Sequence, residues 1–201
     1  MNDHPPTETI RVDSLQLLET LNPRLRGGVF HVTPRNRLEG ITSSQAVLHN
    51  RDERFEYATD GSDNSYGRLR GWVCLFDFRE KSDSVLNNVR SDFQYEDPFK
   101  TPIHPMLQMS GDSLNDSAAY LFLQPAAYGQ LISAATAVQE PRPRTLIRDV
   151  ECWWPGNLPL TMIASILIVD IDRTNERRAH NIETARIDDF LRGRVPHRFC
   201  D

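Results

Sequence analysis

No hydrophobic run in this chain is long enough to cross a bilayer by itself. The longest, Met162 to Val169 with Ala164 and Ser165 inside it, is far short of the ~20 residues of a spanning helix. The opening MNDHPPTETI has neither a basic n-region nor an apolar h-region, so it does not read as a secretory signal. The protein is expected in the cytoplasm, without a membrane partner. Cysteine is scarce too: Cys74, Cys152 and Cys200 are odd in number and widely spaced, which excludes a disulfide framework and a zinc knuckle. Cys74 and Cys152 sit in apolar runs and read as small core residues. His4, His49, His104, His180 and His197 are scattered without ligand spacing, and no metal is expected. There is no G-x-G-x-x-G, P-loop, G-x-S-x-G or H-E-x-x-H. A basic excess is also lacking. The net charge of −5 argues against a general nucleic-acid coat. The stretch from Arg173 onward, with seven arginines against five acids, is too balanced for a basic arm.

What is present suits one domain. With 201 residues and 39% hydrophobic composition, the chain can bury roughly 70% of the surface its unfolded form exposes. Residues 1–12 are polar and contain a Pro-Pro pair, and read as disordered or extended. Val12, Leu15, Leu17, Leu18 and Leu21 suit a short amphipathic helix ending near Pro23. Gly27-Gly28 breaks the chain before a short strand, Val29 to Val32. Thr33-Pro34 then predicts a helix with threonine as N-cap and proline in its first position, carrying Leu38 and Ile41 on one face. Residues 50–67 are polar and turn-rich, a loop. WVCLFDF, Trp72 to Phe78, reads as a strand buried on both faces. Residues 80–118 are polar and proline-broken and give no clear element. Ala119 to Leu123 reads as a buried strand and Pro125 to Ala137 as a helix. Thr145 to Trp154 reads as a strand closed by Pro155-Gly156, and residues 160–171 as a helical turn leading into a final strand. Strands mixed with few helices, without βαβ alternation, predict an α+β fold. The division is an N-terminal segment and short helix (1–22), a main domain (23–172) and a charged helical tail (173–201).

Two stretches carry chemistry. In Phe30-His31-Val32-Thr33-Pro34, a histidine and a threonine two apart on a strand share a face, just ahead of a helix start that can present backbone donors. The plainer alternative is a helix-capping Thr33 and a satisfied core His31. In Arg148-Asp149-Val150-Glu151-Cys152-Trp153-Trp154-Pro155-Gly156, Glu151 lies in an otherwise apolar strand, where an unpartnered carboxylate is costly. A carboxylate there can orient a ribose hydroxyl and stabilise a cationic sugar centre. The alternative is an ordinary edge-strand carboxylate.

Taken in order, a His-x-Thr strand, a helix with Leu38 and Ile41, and a late Glu strand leading into Pro155-Gly156-x-x-Pro159-Leu160-x-x-Ile163 resemble the ADP-ribosyltransferase fold. The pattern is most similar to the DarT-like toxins, which transfer ADP-ribose from NAD to bases of single-stranded DNA. Motif-level likeness is confined to about residues 28–41 and 148–169. The resemblance implies NAD as substrate and no metal. His31 would hold the adenosine-side or nicotinamide-side ribose with Thr33 in support, and Glu151 would be the catalytic carboxylate. Arg70, with Arg68 and Arg79 close behind, would pair with the pyrophosphate. Tyr66, in a loop from Asp60 to Gly67 closing over the dinucleotide, would stack on nicotinamide. The macromolecular acceptor stays open among DNA, RNA and protein, since the family's extended basic substrate loop has no counterpart here. A toxin of this kind would have an antitoxin or immunity partner. An NAD glycohydrolase of the same fold, or a non-catalytic nucleotide- or partner-binding module, are the alternatives.

Overall fold

The computed structural model describes residues 4–55, 65–79, 115–137 and 150–175. Strands are β1 (Thr7–Asp13), β2 (Val29–Pro34), β3 (Ala46–Val47), β4 (Trp72–Asp77), β5 (Asn115–Leu123), β6 (Ile132–Ser133), β7 (Glu151–Pro155), β8 (Leu158–Pro159) and β9 (Ile163–Asp172). The helices are α1 (Leu17–Leu25), α2 (Leu38–Ser44), α3 (Tyr66–Arg70) and α4 (Ala134–Ala137). Seven strands form one mixed sheet in the order β1-β9-β5-β2-β4-β7-β6, and β3 pairs with β8 in a second, two-stranded sheet. Only β1 and β9 run parallel; the other pairs of the large sheet are antiparallel. A large mixed sheet with few helices fits the predicted α+β class. No helix among the described residues is long and apolar enough to cross a membrane.

Side chains alternate across the strands, so the large sheet has two apolar faces. One face carries Phe30, Phe76, Phe78, Ala118, Tyr120, Leu167 and Val169, covered by Leu17, Leu21 and Leu25 of α1. The other carries Val29, Val73, Leu75, Ala119, Leu121, Cys152 and Trp154. Ile41 of α2, Val47 of β3 and Leu158 of β8 pack on that second face. A third, smaller cluster of Tyr66, Ala134 and Trp153 lies where α3 and α4 meet β7.

Several elements differ from the sequence reading. Of the segment expected to be disordered or extended, residues 7–13 are extended, as an edge strand matched to β9 over seven register pairs. Val12, expected in the helix, belongs to this strand because Ile10 and Val12 alternate with polar residues and can face α1. The helix starts at Leu17, after a 3-10 turn over Ser14–Gln16 capped by the Asp13 side chain, and contains Pro23. Thr33 does not cap a helix: β2 runs on through Pro34, with Thr33 opposite Ala119 and Pro34 opposite Ala118. A 3-10 turn, Arg35–Arg37, separates β2 from α2. The expected helix over 125–137 is broken into a 3-10 segment (Pro125–Gln130), β6 and α4. Strand β6 takes up the edge of β7, and this pairing overrides local helix propensity. Tyr66 and Gly67 begin α3 rather than ending a loop. The strand expected over 145–154 is present as β7 from Glu151, and its residues 145–149 lie outside the described residues. So do residues 80–114 and most of what was expected as a loop and a helical tail, residues 56–64 and 176–201.

Candidate functional site

The sheet has a seam between β2 and β4. These strands share two register pairs, Val29↔Asp77 and Phe30↔Phe76, whereas β2 with β5 and β4 with β7 share five each. Amide directions along β4 explain where the ladder stops. Asp77 donates to the Val150 carbonyl at 2.7 Å, toward β7, and Phe78 donates to the Gly28 carbonyl at 2.9 Å, toward β2. Because these directions alternate along a strand, Phe76 and Cys74 also face β2. The next rung beyond Phe30↔Phe76 would set Val32 against Cys74. In its place the His31 ring donates from Nδ1 to the Cys74 carbonyl at 2.9 Å. A carbonyl can only accept, so the proton sits on Nδ1 and the neutral ring keeps Nε2 as an acceptor. Burial holds the His31 pKa below its ordinary value; the bond to Cys74 opposes this, and the nearby Arg37 charge adds to it.

Glu151 opens β7 opposite Phe76. It is 5% exposed and, with Thr33, one of the two buried polar or charged residues among those described. Its Oε1 accepts from the Cys74 thiol at 3.2 Å and from Trp153 Nε1 at 3.2 Å. These donors come from the same face: Cys74 lies diagonal to Glu151 across the strand pair, and Trp153 lies two residues along β7. Burial, then the Glu151 charge, pushes the Cys74 thiol pKa well up, so the thiol stays protonated and able to donate.

Around the carboxylate the aromatic rings are closely packed. Tyr66 lies 5.0 Å from Trp153 and 6.1 Å from Trp72 between ring centroids. The Arg70 guanidinium sits 3.6 Å over the Tyr66 ring and 5.9 Å from the Trp72 ring, a cation–π stack. Gly67 permits this packing, since a Cβ there would lie against Cδ1 of Trp153 and 2.6 Å from its Nε1.

The sequence-predicted residues fall into three groups. His31 and Thr33 share a face of β2 with Val29. By the register Phe30↔Phe76↔Glu151, Glu151 lies on the opposite face, with Phe30. The two groups are not in direct contact, and Cys74 joins them, through its carbonyl to His31 and its thiol to Glu151. Arg70 and Tyr66 border the carboxylate's aromatic surroundings through Trp153. Arg68 turns elsewhere: its Nη1 donates to the Asn50 carbonyl and to Glu53, both at 3.4 Å. Arg79 is bound to Asp77 through two nitrogens, at 3.0 and 2.8 Å, with its guanidinium 4.2 Å from the Tyr128 ring centroid.

Sequence reasoning missed Cys74, which it took for a core residue. The signal was its spacing: Trp72, Cys74 and Phe76 alternate in step with Pro155, Trp153 and Glu151, but only strand adjacency turns that into contact. A groove of about 460 Å³ lies on the β1–β9 side, lined by residues such as Thr7, Arg24, Phe122 and Ile166. It holds none of these groups. No family model matches the chain, and neither a curated protein nor a solved structure does.

Proposed function

We propose that this protein is an NAD-consuming ADP-ribosyltransferase of toxin or defence type, with the dinucleotide bound at the β2–β4 seam. The observation that carries the reading is the buried Glu151, with two donors on its Oε1, one strand away from a seam where the β2–β4 ladder stops. A sheet closed by hydrogen bonds separates its faces. At this seam the His31 side chain stands in for the ladder, and a ligand that parts its bond to Cys74 reaches His31 from one face and Glu151, across β4, from the other. The order of His31-x-Thr33 and the late Glu151 strand supports the same reading.

The chemistry assigned to each group is specific. The bond from ribose C1′ to the nicotinamide nitrogen breaks, its electron pair neutralises the pyridinium, and positive charge develops on the ribose. A carboxylate already fixed beside that centre stabilises the charge without reorganising. The acceptor nucleophile then bonds to C1′ and releases its proton. His31 Nε2 accepts from a ribose hydroxyl, with Thr33 in support. Arg70 leaves the Tyr66 ring for the pyrophosphate, with Arg68 behind it, and the uncovered ring takes the nicotinamide. The acceptor is a macromolecule, with DNA, RNA and protein each open to assay. If water is the acceptor, the same steps describe an NAD glycohydrolase.

The test is nicotinamide release by purified protein, wild type beside Glu151→Gln. Release by the wild type should fall by a factor of about 10²–10³ in the variant, the scale of losing one preorganised charge-stabilising group. Oligonucleotides and proteins added with NAD labelled in its adenylate then identify the acceptor. No release by either protein, with no NAD binding by calorimetry, would sink the reading. A non-catalytic module would then be the better account, since Oε1 of Glu151 is already engaged by two internal donors.

A further inference from the structure

We infer that Cys74 is a positioning residue for Glu151, fixing the carboxylate's charge and orientation through its thiol. The inference rests on the functional reading above for its consequence in catalysis, but on geometry alone for the interaction. The Sγ–Oε1 distance is 3.2 Å, with the thiol as donor. The Cys74 carbonyl is itself held by His31 Nδ1 at 2.9 Å. Cys74 is therefore clamped on the β2 side through its main chain while its side chain reaches β7. Its Cα lies opposite Trp153, the second donor to the same oxygen. An apolar residue of similar size at this position would satisfy packing and leave Oε1 with one fewer donor.

A donor to the ionised form favours that form, so removing it raises the pH at which the carboxylate takes up a proton. Among the described residues, Cys74 on β4 and Cys152 on its own strand are titratable neighbours of Glu151, which has further interactions as well. Tyr66 and Arg70 on α3 reach it through Trp153, and His31 on β2 through the Cys74 backbone. These are unchanged in the variants below.

The readout is the indole ¹H–¹⁵N resonance of Trp153, followed against pH in the full-length, ligand-free protein and assigned by Trp153→Phe. Its N–H is bound to the same oxygen and reports the carboxylate's charge. Cys74→Ala and Cys74→Val should both move the midpoint up by about one pH unit, whereas Cys74→Ser, which keeps a donor, should hold it near the wild-type value. An unchanged midpoint in whichever of Cys74→Ala and Cys74→Val folds would overturn the proposal. If only Cys74→Ser folds, a midpoint that differs from wild type as widely as a donor's loss predicts would do the same. The acid limb of nicotinamide release should shift with the midpoint. A wild type that titrates as described yet consumes no NAD would refute the transferase reading and leave the Cys74 assignment standing.

Discussion

His31 performs a main-chain task with a side chain: it supplies the hydrogen bond that the missing rung between Val32 and Cys74 would have made. The bond from Nδ1 suits a neutral or a charged ring, and burial favours the neutral one by lowering the ring's pKa. The consequence for stability has a definite sign. As pH falls through about 6.5 the unfolded chain takes up a proton at this residue while the folded protein resists it, so folding stability declines with falling pH. Thermal unfolding of the wild type should therefore lose more between about pH 7.5 and about pH 5.5 than that of His31→Gln, which keeps an amide donor without titrating. Parallel profiles would mean that His31 takes up its proton as readily in the folded protein as in the unfolded chain. Glu151 shows the complementary case, a carboxylate kept in a buried place by a thiol and an indole.

Among the elements, α3 illustrates how a five-residue helix is fixed by what it packs on. Its first residue, Tyr66, lies on Trp153, and its second, Gly67, leaves room for the indole. Adding a methyl group there forces either the helix or the indole aside. Gly67→Ala should cost about 1–3 kcal/mol, the usual range for overpacking a filled core, measured by urea denaturation. The Trp153 indole resonance should shift in the same variant, because its bond to Glu151 is strained. A cost near zero would show that α3 is not held by this contact. The sequence presented Tyr66 and Gly67 as the end of a polar loop, since five residues give too little periodicity to mark a helix. Strand β6 was hidden for a similar reason: two residues, Ile132 and Ser133, carry no alternation, and only the exposed edge of β7 makes them a strand.

Across the whole molecule the seam divides the large sheet into two ladders, β1-β9-β5-β2 and β4-β7-β6, joined by two register pairs. The chain recrosses from one to the other between β7 and β9, through β8 and a 3-10 turn at Leu160–Met162 that packs Leu158 and Leu160 on the second apolar face. The β9–β5 pair runs nine register positions and sits inside its ladder, while β6 is a two-residue edge. Native-state hydrogen exchange should resolve this difference. Amides in β5 and β9 should exchange only through global unfolding. Those of β4 and β7 that face each other should share a lower opening free energy, and β6 should open locally. One common free energy for all of these strands would mean that the seam does not divide the fold's cooperativity.

Much of this protein follows from local sequence. WVCLFDF and ILIVDI read as strands from their residues and are strands here, because apolar β-branched and aromatic residues suit a pleated, buried surface. Leu17 and Leu21 fall on one face of a helix by spacing alone, whereas Leu25 joins them because the helix continues past Pro23. The identities of His31, Thr33 and Glu151 as polar residues in apolar strands were equally legible, since burying such groups demands partners. The partners themselves were not. Whether His31 meets Glu151 directly or through Cys74 depends on strand order and on register, and a shift of one residue sends a side chain to the other face. Those are long-range choices, made by how β2, β4 and β7 pack together, and no local pattern encodes them.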